Sequence, residues 1–261
     1  MTIDDVAEGL KWQTSKISRV ETRKIGINTV DLRKLLDFLG LTDRTQREGL
    51  MELARRATER GWWQAYGTVI PSEYGTYIGF EEEASEIRTY QPEMIFSLLQ
   101  TEAYARAVIR IGRPDDTSEE IDRRVEVRLA RQQILLRDDP PRLRVVLNEG
   151  AVRRRVGGAE AMREQLLHLA AERDRSNIVV QILPFRSGEH PAMTGPFVLL
   201  DFPEVYDLGA VHLENMASAL TLEKPAELQL YADVFEHVQA AALGPNESRD
   251  MLKLLAEELK A

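Results

Sequence analysis

At 261 residues and 43% hydrophobic side chains, the chain can bury one large core, or a small core joined to a mid-sized one, which excludes an unfolded tract. A net charge of −9 excludes a protein that coats nucleic acid through general basicity, although an acidic body can carry a small basic reader. The absence of cysteine excludes a disulfide scaffold, a thiolate zinc site and a cysteine nucleophile.

The opening string MTIDDVAEGLKWQ has no basic stretch followed by an apolar one. No later run approaches the roughly 18 apolar residues of a membrane span, so the expected location is the cytoplasm, with no membrane contact. Three short helical patterns come first: Thr2 to Leu10, Thr14 to Thr22 and Thr29 to Leu39. Thr2 with Asp5, Thr14, and Asn28 with Asp31 are placed to accept the orphan backbone N–H groups at the starts, and Gly40 is a C′ stop. An amphipathic segment from Arg44 to Arg60 puts Leu50, Leu53, Ala54 and Ala57 on one face and ends at Gly61. It is expected to link two domains.

From WWQAYGTVIPSEYGTYIGFEEEASEIRTY onward the texture turns aromatic, Gly-punctuated and irregular, with a strand near Glu86 to Tyr90. Helical patterns recur at Ile95 to Ile109, Ser118 to Arg137 and Ala159 to Asp174. Between and after them lie the β-rich runs RLRVVLNE, NIVVQILPF, GPFVLLDFP, AVHLEN and SALTLE. Pro225 to Ala242 and Asn246 to Lys260 close the chain as helices. The expected architecture is an all-α helix-turn-helix head over 1–43, a linking helix and loop over 44–74, and an α+β body over 75–261.

The opening helices suit DNA reading. In a helix-turn-helix unit the second helix enters the major groove and offers its N-terminal side chains to base edges. Here Val6, Ala7 and Leu10 form one buried face and Ile17 and Val20 the other, which turns Gln13, Thr14, Ser15, Lys16 and Arg19 outward. Thr14 and Ser15 can donate to phosphate or bases, Lys16 and Arg19 can reach guanine acceptors, and Arg23 and Lys24 suit phosphates. From Lys11 to Lys24 five basic residues stand against Glu21 alone. A short amphipathic helix with a few basic residues is also what an ordinary solvated surface looks like.

The string from Thr2 to Gly40, with VA in its first helix, SKISRVE in its second and VDLRKLLDFLG in its third, resembles the lambda-repressor-like, xenobiotic-response-element class of helix-turn-helix domains. Three further strings resemble the C-terminal domain of WhiJ-like regulators: QPEMIFSLLQTEAYARAVI, RLARQQILLRDDPPRLRVVLNEGAVRRRVGG and NIVVQILPFRSGEHPAMTGPFVLLDFPE. That resemblance implies an antitoxin-like transcriptional regulator, of a kind encoded beside a small partner protein, whose C-terminal domain senses a ligand or partner. Two departures stand out. The first helix of the usual five-helix fold has no counterpart before Met1, so Val6, Leu10, Ile17, Leu35 and Leu39 are expected to lose part of their burial, at about 1.5 to 3 kcal/mol per large side chain. Lys11 stands where the turn usually holds Gly, and a non-Gly residue in a left-handed conformation costs on the order of 1 kcal/mol.

In the body, His190, Asp201, Tyr206, His212 and Glu214 form the clearest polar set, and a His beside a carboxylate is an acid/base pair. They are equally the ordinary residues of strand ends. No H-E-x-x-H spacing occurs, so neither a metal nor a cofactor is implied. Arg153, Arg154 and Arg155 can bind phosphate or an acidic partner, or form a solvated turn. Trp62, Trp63, Tyr66, Tyr74, Tyr77 and Phe80 can line an apolar ligand pocket or pack between domains. The preferred expectation is a sequence-specific, homodimeric regulator that binds double-stranded DNA and answers to a partner protein or an apolar small molecule. The alternative is a regulator-derived small-molecule binder or metal-free enzyme, for example a cyclase that holds an apolar substrate in a productive shape.

Overall fold

The computed structural model of the chain describes residues 1–21, 26–58, 61–67, 69–172, 175–203, 209–215 and 218–260. It divides into two compact units, the first built on Met1–Gln64 and the second on Ala65–Phe202 with the chain after residue 208. The first is helical and the second combines a mixed sheet with helices. No described helix is long and apolar enough to cross a membrane.

Four helices make the first unit: α1 (Ile3–Leu10), α2 (Thr14–Glu21), α3 (Thr29–Phe38) and α4 (Arg44–Thr58). At the start of α1, Asp5 N–H donates to Thr2 Oγ1 at 3.2 Å while Thr2 N–H donates to Asp5 Oδ2 at 2.6 Å, a reciprocal cap. At its end Trp12 N–H reaches Ala7 O at 2.9 Å and Lys11 N–H reaches Glu8 O at 3.2 Å, the paired bonds of a Schellman stop. That stop needs a left-handed residue, and Lys11 supplies it at φ 53°; it is the one non-glycine with positive φ among the described residues. Helix α3 ends in the same way, with Leu41 N–H on Leu36 O at 3.1 Å, but there Gly40 takes the left-handed position at φ 69°. A Cβ on Gly9 would lie 2.0 Å from the Phe38 ring, so the close approach of α1 and α3 depends on that glycine.

Within this unit Ala7, Ile17, Leu32, Leu36 and Ala54 are buried, Val6, Leu10 and Leu35 are half-buried, and Leu39 is exposed. Helix α4 packs on this core through Leu50, Met51 and Ala54, so it belongs to the first unit; the side chains of Leu53 and Ala57 lie outside the described residues.

The second unit is organised by a six-stranded sheet of β1 (Glu86–Gln91), β2 (Arg142–Asn148), β3 (Ile178–Leu183), β4 (Phe197–Asp201), β5 (Gly209–Glu214) and β6 (Ala219–Leu222), in the order β3-β2-β1-β4-β5-β6. The first three are parallel, and β4, β5 and β6 run antiparallel to their neighbours. Period-two alternation sends Ile87, Leu143, Val145, Leu200 and Ala210 to one face, under residues of α6 (Glu102–Gly112), α9 (Gly158–Glu172) and α11 (Pro245–Glu258). Tyr90, Val146, Leu199 and Val211 point to the other face, under α10 (Pro225–Ala241).

The structure differs from the expectation at several points, among them the helix expected over Ser118 to Arg137, which stops at Arg131 and passes into a 3-10 turn over Gln132–Leu136. The helix expected over Ile95 to Ile109 is divided: a 3-10 turn spans Ser97–Leu99, and α6 starts afresh behind Thr101, whose hydroxyl accepts from Tyr104 N–H. The stretch read as irregular holds α5 (Ser72–Glu83), twelve residues long. Gly75 and Gly79 weaken its propensity by about 1 kcal/mol each. Burial of Tyr77, Ile78 and Glu81 supplies what propensity lacks, and because Glu81 is charged their shared face does not read as an apolar stripe.

Because Lys11 holds the left-handed position that Gly40 holds in α3, Lys11→Gly is expected to stabilise the first unit by about 1 kcal/mol and Gly40→Ala to destabilise it by a similar amount. All three tryptophans, Trp12, Trp62 and Trp63, belong to the first unit, so urea unfolding followed by tryptophan fluorescence reads this effect separately from the second unit.

Candidate functional site

The second unit carries a cavity of about 660 Å³ that is partly open to solvent, within the size range of small-molecule sites. It lies at the carboxyl ends of β1 and β5 and at the start of β4. Ile95 and Phe96 after β1, Val108 and Ile109 of α6, Val127 of α7 (Ser118–Arg131) and Val198 of β4 give it apolar walls. The segment after β1 is held in place by buried amides. Tyr104 Oη accepts from Ile95 N–H at 3.1 Å, Gln100 Nε2 donates to Ile95 O at 2.7 Å, and Gln165 bridges Thr101 N–H and Leu99 O at 2.7 Å each. These bonds let an irregular backbone line the cavity with its buried donors and acceptors paired.

Polar chemistry enters from α7, where Arg124, Arg128 and Arg131 recur at i, i+4 and i+7 and so share one helical face. Arg131, 1% exposed, makes a bidentate pair with Glu81 of α5: Nε to Oε2 at 2.8 Å and Nη2 to Oε1 at 2.7 Å. Tyr77 Oη donates to the same carboxylate at 2.9 Å, and the Tyr74 hydroxyl and Ser97 Oγ accept from the guanidinium. The charge also sits 5.2 Å from the Tyr74 ring centroid and 5.4 Å from that of Tyr77. Burial works against the Arg131 charge, but Glu81 together with Tyr74 and Tyr77 outweighs it and holds the guanidinium well above its ordinary pKa. Burial, and then Glu81, push the Tyr77 hydroxyl well above the usual tyrosine value.

Arg124 is matched by Asp116, Nε to Oδ2 at 2.6 Å, and also donates to Val69 O. Arg128 is different. Its Nη1 donates to Gln100 Oε1 at 2.8 Å, and no carboxylate among the described residues lies at ion-pair distance. Burial lowers its pKa and the neighbouring Arg131 charge adds to the effect, while Tyr74 and Glu214 act in the opposite direction without overcoming it.

His212 of β5 stacks on Tyr77 with ring centroids 4.1 Å apart and lines the cavity together with Glu214, two residues along the same strand face. Its Nδ1 is buried without a hydrogen-bond partner. Burial lowers its pKa, although Glu214 and Glu81 act in the opposite direction. The other members of the polar set are elsewhere. Asp201 forms a bidentate pair with Arg88 at 3.0 Å, on the sheet face covered by α10. His190 Nε2 lies 3.3 Å from Tyr90 Oη, and Tyr206 falls outside the described residues. The pleat is the cause. Val198 opposes His212 and Asp201 opposes Gly209, and three steps along a strand reverse the face. Neither His190 nor His212 therefore meets a carboxylate.

The aromatic run is divided as well. Trp62 and Trp63 pack edge to face at 5.9 Å in the first unit, whereas Tyr66, Tyr74, Tyr77 and Phe80 belong to the second. Of these six, Tyr74 and Tyr77 line the cavity, and Phe80 packs in the core at 6.0 Å from Phe202. Arg153 and Arg154 are spent on Glu149 and Glu93, and Arg155 is exposed. The cationic site that sequence reasoning missed, Arg128 with Arg131 and its acceptor Glu81, had one visible signal: the i, i+4, i+7 arginine spacing in RRVEVRLAR.

In the first unit α1 and α2 pack together across a three-residue connection, Lys11 to Gln13. Gln13, Thr14, Ser15 and Arg19 are exposed. Lys16 is half-buried: its Nζ donates to Asp31 Oδ2 at 2.6 Å and lies 4.0 Å from the Trp12 ring centroid. That bond holds the Asp31 carboxyl below the usual range. Arg23 and Lys24 fall outside the described residues.

A model of the family described as Domain of unknown function (DUF5753) matches residues 74–254. No curated protein and no solved structure matches the chain.

Removing one partner of a buried pair strands the other charge, so Glu81→Gln is expected to destabilise the second unit by about 3 to 5 kcal/mol in chemical denaturation followed by tyrosine signals. Acid should weaken the same unit. As pH falls below about 6.5 the unfolded chain takes up a proton that folded His212 resists, so stability declines towards pH 5, and His212→Gln flattens that slope while the contribution of His190 persists. Melting temperatures across a pH series check it.

Proposed function

The chain belongs to the DUF5753 family, and because that description assigns no activity, we propose from the geometry of its two units that it is a sequence-specific DNA-binding transcriptional regulator whose second unit takes a small-molecule effector. The observation that carries this reading is the helix pair. Helix α2 buries Ile17 against its neighbours and leaves Gln13, Thr14, Ser15 and Arg19 exposed at and beyond its start, the end that enters a major groove in helix-turn-helix recognition. Lys16 takes a different part from the one its position suggests, since its ammonium braces α2 to Asp31 of α3. Base reading then falls to the four exposed side chains, with Arg19 as the guanine reader. One such helix covers few base pairs, so the active species is a homodimer on a two-fold operator.

The cavity supports a second reading, a regulator-derived small-molecule binder or metal-free enzyme that holds an apolar substrate in shape. DNA binding separates the two. In fluorescence anisotropy across a salt series, the chain should prefer DNA from its own promoter region over a scrambled duplex and lose affinity steeply as salt rises. Arg19→Ala should cost about 1 to 3 kcal/mol of promoter affinity with little change on the scrambled duplex. Equal weak binding to both duplexes, unaffected by Arg19→Ala, would favour the second reading.

A further inference from the structure

We propose that the cavity of the second unit binds an apolar organic monocarboxylate, with Arg128 as the counter-ion of its carboxylate. The inference rests on the reading of that cavity as a small-molecule site. It starts from the unequal treatment of three arginines on one helical face. Arg131 is neutralised by Glu81 and Arg124 by Asp116, whereas Arg128, half-buried beside the same apolar walls, donates to the neutral amide oxygen of Gln100, has the Tyr74 hydroxyl beside it, and has no carboxylate at ion-pair distance among the described residues. That amide is oriented for the purpose: Gln100 Nε2 is committed to Ile95 O, which leaves Oε1 facing the guanidinium, and Gln132 Nε2 holds the Gln100 backbone oxygen at 2.7 Å. The guanidinium is therefore positioned without a carboxylate in contact, and Glu214 of the same cavity acts on it only from a distance.

A half-buried cation without an anion in contact carries a desolvation cost that the distant Glu214 relieves only in part, and a carboxylate arriving with the ligand would offset it through a charge-assisted, bidentate pair. The walls set the rest of the ligand. Ile95, Phe96, Val108, Ile109 and Val127 offer no donors or acceptors from their side chains, so the body of the ligand is hydrocarbon or aromatic. Glu214 at the end of β5 lines the same space and disfavours a second negative charge, which selects a monoanion over a phosphate dianion. A cavity of about 660 Å³ has room for a medium-chain or polycyclic acid.

The test is isothermal titration of the full chain with three probes that share one tail: decanoate, decan-1-ol and decyltrimethylammonium. Decanoate should bind about tenfold tighter than decan-1-ol, with the cation weakest. Arg128→Gln, with its fold checked by circular dichroism, should reduce the decanoate advantage to about twofold or less while leaving decan-1-ol affinity unchanged. Val108→Trp, which fills the apolar wall, should weaken both ligands together. Equal binding of acid and alcohol by the unmodified chain, no binding of any probe, or an acid preference that survives Arg128→Gln would each overturn the proposal. If Arg128→Gln fails to fold, the acid-to-alcohol ratio of the unmodified chain decides. Promoter anisotropy on the same sample reads the regulator proposal separately: selective acid binding without DNA binding retires that function and keeps the site, whereas DNA binding without acid selectivity does the opposite.

Discussion

A guanidinium and a carboxylate taken out of water must satisfy one another, and Arg131 and Glu81 do so from two different helices. Their bidentate geometry sets α5 against α7, and the remaining donors and acceptors bring in Tyr74, Tyr77 and Ser97. Tyr77 in turn stacks on His212, which carries the constraint to β5. Four parts of the second unit are thereby tied to one buried charge pair, and the cavity is the space they leave between them. Such a pair is weak evidence for stability and stronger evidence for a single arrangement, because any shift of α5 strands a charge. The short hydrogen-bonded polar core explains how an aromatic-rich, glycine-containing helix is held in register.

Arg124, Arg128 and Arg131 show how one sequence pattern divides into three physical roles. Helical spacing alone places them on a common face. What distinguishes them is what other elements bring opposite: Asp116 from the turn before α7, Glu81 from α5, and an amide from the segment after β1. The first two pairs close the charge balance locally. The third leaves a positive potential inside apolar walls, in the part of the unit where the carboxyl ends of strands open, the place where sheet proteins commonly hold ligands.

The first unit solves a different problem, that of keeping very short helices in place with a small core. The backbone does much of the work. Thr2 and Asp5 close one end of α1, and a Schellman stop closes the other at the cost of a left-handed lysine. Gly9 lets Phe38 come close, and Lys16 joins α2 to α3 through Asp31 while its ammonium lies over the ring of Trp12 in the α1–α2 connection. The same lysine cannot be both a brace and a free base reader. Geometry thus narrows the exposed polar surface of α2 to fewer side chains than the sequence pattern offers.

Most secondary structure was legible because it is written in local periods and caps. All six strands of the second unit fall within two residues of their expected ends, and the caps at Thr2 and Asn28 form as their spacing predicts. Helix α5 was not legible, since its buried face includes a charged residue, Glu81, and its two glycines argue locally against it. The candidate site was legible only in part. Tyr74, Tyr77, His212 and Glu214 were in view, but His190 and Asp201 separate from them, because a strand pattern does not state which face each residue takes until its neighbours are known. By itself the sequence determined what depends on residues a few positions apart: the helices, the strands, the stops and the arginine stripe. Only the tertiary structure decided which charges meet an opposite charge, because Glu81 and Arg131 stand fifty positions apart and no local rule couples them.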